Sequence, residues 1–173
     1  MPCSEAGAAL RKAAARTDGA VRLGLIDSLG WRGDRAAVPL LASLLESTDP
    51  TTASAAASAL GHIGGDAAVA ALSGVGETAA PALRQTAADA LMACAERALD
   101  AGEDDSAAAA FSRLLQHGPT PAIRVAAWRG LVFADSAQRP ALVMRALGDA
   151  ESAYQGVACT VMRELEDAQL REA

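Results

Sequence analysis

Aromatic side chains are scarce: Phe, Trp and Tyr make up 3% of the 173 residues. That excludes one thick core built on large rings. Lysine is nearly absent, with Lys12 alone among Arg residues. Cysteine occurs three times, as Cys3, Cys94 and Cys159. An odd number at wide spacing gives neither a disulfide framework nor a zinc motif. Free thiols are expected, with Cys94 and Cys159 buried on Ala-rich helices. No run of Val, Ile, Thr and Tyr alternates with period two, which excludes an ordinary sheet. Basic charge is outnumbered: the net charge is −6 and the pI about 4.9. A general binder of phosphate backbones would show the opposite balance, so nucleic acid is not an expected partner. No apolar stretch reaches the ~20 residues of a membrane span. The first twenty residues lack an apolar signal core, being interrupted by Glu5, Arg11 and Lys12. A soluble chain, cytoplasmic by default, is the expectation. Whether it was cut from a longer exported protein stays open.

About a quarter of the residues are Ala, the best helix former and a small side chain that still buries. The chain repeats itself. Val21-Arg22-Leu23-Gly24-Leu25-Ile26-Asp27-Ser28-Leu29-Gly30 returns in altered form from Thr52, Leu83, Ile123 and Tyr154, at spacings of 31, 31, 40 and 31 residues. Position one is apolar in four of five copies, and Arg follows it three times. Leu or Met holds position nine. Positions one, five and nine share one face of a helix. A second apolar stripe follows each copy, as in Val38, Leu41, Leu44 and Leu45, or Phe111, Leu114 and Leu115. The links have turn chemistry: Gly33-Asp34, Gly65-Asp66, Asp49-Pro50 and Gly118-Pro119. A hairpin of this kind has nowhere to bury its apolar face alone, so hairpins stack.

The pattern from Val21-Arg22 through Leu29-Gly30, Gly33-Asp34 and Ala37-Val38-Pro39-Leu40-Leu41, echoed by Leu60-Gly61, Ile63-Gly64, Asp66 and Ala68-Val69, resembles the HEAT-like repeat of the phycobilisome-lyase type. The resemblance spans roughly residues 19–165. It implies an all-α, right-handed α-solenoid of stacked HEAT-like helical hairpins. Residues 1–173 then form one domain: a leading helix 4–17, repeats near 19–50, 51–78, 79–120 and 121–152, and a trailing helix 153–170. The third repeat has nine extra residues within Cys94 to Asp105, and its hairpin looks like a tetratricopeptide unit. Relatives with such repeats are mostly scaffolds. Some act in bilin attachment, some are iron hydroxylases with paired His-Glu motifs, and some handle alkylated DNA.

Neither His62 nor His117 is followed by Glu, so the hydroxylase motif is missing and no metal or other cofactor is expected. Cys94 and Cys159 replace apolar repeat positions, which suits buried thiols better than nucleophiles. Arg22, Arg84 and Arg124 share one position, and Asp27 and Asp89 another, consistent with a ladder of ion pairs between repeats. Glu103-Asp104-Asp105 opens a helix, where acidic charge favours the dipole. Trp128 belongs to the core. Trp31 falls in a turn, where an exposed Trp is a candidate hot spot. The second helices of a solenoid line its concave face, with Arg35, Ser43, Glu46, Arg113, Gln116, Arg139 and Arg145 as polar positions. Four of these seven are Arg in an acidic chain, so this face suits an acidic segment.

The residues therefore point to a non-catalytic scaffold that binds another protein through its concave face. Trp31, Arg35, Glu46, Arg113, Gln116, Arg139 and Arg145 are the expected contacts. A monomer, or a weak dimer through the exposed end of the stack, is expected. Two alternatives stay open: a bilin-lyase-like or chaperone subunit holding a chromophore, which would need a pocket with Trp or Tyr, and a DNA-handling HEAT protein.

Overall fold

The structure is a computed structural model that describes residues 3–148 and 152–172, with side chains for 5–148 and 154–165. Cys3 and the residues from Glu166 on have side chains outside the described residues. Every described regular element is helical: α1 (Cys3–Ala14), α2 (Gly19–Trp31), a 3-10 turn (Arg35–Ala37), α3 (Val38–Leu44), α4 (Pro50–Ile63), α5 (Asp66–Ser73), α6 (Pro81–Asp100), α7 (Asp104–His117), α8 (Pro121–Ala134), α9 (Arg139–Leu147) and α10 (Ser152–Glu172). The class is all-α, built of helical hairpins.

Local chemistry sets the helix ends. Asp49 caps α4 by accepting from the backbone N–H groups of Thr51 and Thr52, and Pro50 starts the helix where no N–H is needed. Thr120 and Pro121 do the same for α8, with Ile123 N donating to the Thr120 hydroxyl. Gly33 and Gly65 turn the chain between helices at φ of 61° and 78°, a region that side chains with a Cβ avoid. After Gly33, Asp34 accepts from Ala36 N and so opens the 3-10 turn. The extra residues of the third repeat extend its first helix: α6 runs for 20 residues.

The chain folds as two compact lobes, one ending at Arg97 and the other beginning at Ala98. In the first lobe α1 packs on α2, α2 on α4, and α3 on both α4 and α5. Its core is Ile26, Leu29, Leu41, Leu60 and Leu72 with a bed of Ala. Successive first helices meet at backbone distance. A Cβ on Gly30 would stand 2.8 Å from Ala59 Cα, and one on Gly61 would stand 2.7 Å from Ala90 Cβ. Repeat position ten thus faces position eight of the next copy twice over. Arg11 reaches from α1 to pair with Asp34.

In the second lobe α7 packs on α8, and α8 on α9 and α10. Trp128, Val132, Ala146, Ala158 and Val161 form its core, with Leu142, Val143 and Tyr154 against them. Position nine, buried as Leu29, Leu60, Leu91 and Leu131, is held in the last copy by Met162, which is 41% exposed. Cys159, expected buried, is exposed instead. In that copy positions five and eight, Ala158 and Val161, face the core, and position six turns outward.

Candidate functional site

In the first lobe the expected contacts fall in two places. Trp31 ends α2, is 72% exposed and stacks on His62 of α4, with ring centroids 4.5 Å apart and 26° between planes. The two rings hold the same repeat position, 31 residues apart. Arg35 is exposed in the 3-10 turn that follows. Glu46, just past α3, is exposed beside a groove of about 590 Å³ between the end of α3, the face of α5 and the openings of α4 and α6. Ser43 is exposed on α3 and donates to Leu40 O.

In the second lobe Gln116 and Arg145 line one cleft of about 470 Å³. Arg124, Trp128, Leu142 and Tyr154 line it with them. Trp128 and Tyr154 meet edge to face, 6.3 Å between centroids and 86° between planes. Among the described residues that line the cleft, the ionised groups are the guanidinium groups of Arg124 and Arg145. The cleft therefore favours anions in a chain of net charge −6. Arg113 is half-buried on α7 and does not appear among the residues lining this cleft.

Arg139 reaches back to the helix before its own. Its Nε donates to Val132 O at 2.9 Å and its Nη2 to Phe133 O, closing the end of α8. Arg124 likewise donates to Gly118 O at 2.9 Å, just past α7, and Arg97 donates to Gly61 O near the end of α4. Arg22 donates to Thr17 O in the segment before α2. These arginines satisfy carbonyls that a helix end or turn leaves open. This replaces the expected ladder: Arg22 and Arg124 bond backbone oxygens, and Asp89 accepts from Gln85.

Cys94 is buried and contacts Gly61 O at 3.6 Å through sulfur. Burial pushes its thiol pKa up, and nearby Arg97 opposes that more weakly. A thiol so placed is a poor nucleophile at neutral pH. No group of three or more His, Cys, Asp or Glu gathers into a metal site among the described residues. No helix among them is long and apolar enough to cross a membrane.

Sequence reasoning missed Arg124, Trp128 and Tyr154 as cleft residues. A signal existed. Tyr154 and Arg124 hold adjacent repeat positions, one and two, in successive copies. Residues 7–92 match the family described as HEAT repeats. No curated protein matches the chain. The matched stretch runs from α1 into α6 and includes both Gly–Ala contacts. HEAT repeats generally mediate protein–protein interaction.

Proposed function

We propose that this HEAT-like repeat protein is a non-catalytic adaptor that binds an acidic segment of a partner protein in the cleft of its second lobe. One observation supports the reading above others. Two guanidinium groups and the Gln116 amide surround an apolar floor in an otherwise acidic chain. Arg124 is already held by Gly118 O, so its planar group is fixed in place before a partner arrives. Arg145 is exposed and supplies the second charge. No His, Cys, Asp or Glu lines the cleft among the described residues, and Tyr154 is the one side chain in its lining suited to acid–base chemistry.

The test is fluorescence anisotropy with labelled peptides rich in Asp and Glu, each matched by an Asn/Gln counterpart. The acidic peptides should bind, their neutral counterparts should not, and Arg145→Glu should weaken binding by about tenfold. Equal binding of both peptide sets would sink the reading.

One observation favours a second reading. The Trp128–Tyr154 pair sits in the same cleft as two Arg, and a linear tetrapyrrole with its propionates asks for such a pairing of rings and cations. Titration with a free bilin separates the two: a red-shifted, structured absorption band lost in Arg145→Glu would favour the chromophore over the peptide.

A further inference from the structure

We propose that the groove of the first lobe is a separate docking site, for a partner segment bearing large apolar side chains flanked by Lys or Arg. It does not depend on the function assigned to the second lobe's cleft. The groove holds about 590 Å³, within the ~300–1,000 Å³ usual for binding clefts. Its walls are mostly small: Ala42, Ala70 and Ala71 stand where larger residues would close it, while Leu45, Val75 and Leu83 give it an apolar base. Small walls around an apolar base leave room for an incoming Leu, Ile, Met or Phe, which would replace water against apolar surface. Ser47 and Thr48 of the α3–α4 link and Pro50, the first residue of α4, form one rim, and Gly76 and Thr78 another.

The ionisable side chains in this groove's lining, and those flanked by lining residues, are all acidic. Glu46 is in the lining itself. Asp49 lies between Thr48 and Pro50, and Glu77 between Gly76 and Thr78, so each is flanked by lining residues. No Arg, Lys or His lines the groove among the described residues. The positive end of α4, which opens here, is covered by the Asp49 carboxylate through its bonds to Thr51 and Thr52. An apolar channel with an acidic rim selects basic flanks, by the same electrostatic rule that makes the second lobe's cleft select acidic ones.

The experiment uses the full chain and a labelled amphipathic helical peptide with Leu and Phe on one face and Lys on the other. A counterpart with every Lys replaced by Glu serves as control. The Lys peptide should bind and the Glu peptide should not. Ala70→Phe, at an exposed position, should fill the groove and weaken binding by about tenfold or more. Glu46→Lys should weaken it several-fold. Arg145→Glu, in the other lobe, should leave it unchanged. Equal binding of the two peptides overturns the proposal. So does native-like binding by both Ala70→Phe and Glu46→Lys. Self-association that Ala70→Phe abolishes would assign the groove to a second copy of the chain and equally overturn it.

Discussion

Arginine supplies nearly all the positive charge of this chain, and several Arg are defined by the backbone oxygen they have found. Arg97 and Arg139 bond carbonyls in the last turn of a helix, and Arg124 one just beyond it. Their planar forks suit that task better than a lysine ammonium. Arg124 spends one guanidinium nitrogen in this way and still lines the second lobe's cleft, whereas Arg139 spends two and Arg145 is exposed. Position in a repeat cannot distinguish Arg139 from Arg145, because both stand on the same second helix, α9. Asp49 shows the same logic with opposite charge. Hydrogen bonds from the Thr52 side chain and backbone hold its carboxyl below the ordinary carboxylate range. The folded state thus binds that proton less tightly than the unfolded chain. Its stabilising contribution is full above the unfolded value of ~3.9 and fades as pH falls through the lower folded value. Thermal melts between neutral pH and strong acid should show a smaller acid-induced loss for Asp49→Asn than for the native chain. Matching acid slopes would mean that the cap does not titrate as described.

At the scale of the helix, two glycines of the same protein should respond oppositely to one methyl group. Replacing Gly by Ala inside a helix ordinarily stabilises by ~0.5–1 kcal/mol. Gly24 lies in α2 with nothing within 4 Å of an added Cβ, so Gly24→Ala should follow that rule. Gly61 lies in α4, where the added Cβ would meet Ala90 Cβ at 2.7 Å and Ala90 Cα at 3.0 Å. Backbone cannot swing aside as a side-chain tip can, so Gly61→Ala should destabilise by about 1–3 kcal/mol. Urea unfolding of the pair checks this, and a stabilised Gly61→Ala would mean α4 and α6 lie farther apart. The sequence made these helices legible. The period of 31, Leu at position nine and the Gly-Asp turns placed α2, α4 and the links with little ambiguity. The Gly–Ala register was not legible, because it depends on how far one helix slides along the next. Neither was the exposure of Cys159, since periodicity in α10 allows either position six or position eight to face inward, and Val161 took the inner place.

At the scale of the molecule, the two lobes offer surfaces of contrasting character: an acid-rimmed groove in one and an Arg-lined cleft in the other. Net charge averages these away, and the Arg positions on the second helices pointed to an acidic segment alone, so the groove was not legible. The exposed Trp31–His62 pair was half legible, since the repeat spacing aligned the two positions but not their rings. The scarcity of rings and the abundance of Ala have a calorimetric consequence. A core of close-set helices joined through Gly30, Ala59, Gly61 and Ala90 buries peptide groups together with little hydrocarbon. Exposing hydrocarbon raises the heat capacity of unfolding and exposing peptide lowers it. Differential scanning calorimetry should therefore give a heat-capacity increment per residue below the ~12–15 cal/mol/K of ordinary globular domains. Stability would then vary only gently with temperature, and cold would weaken this protein less than one packed on aromatic rings.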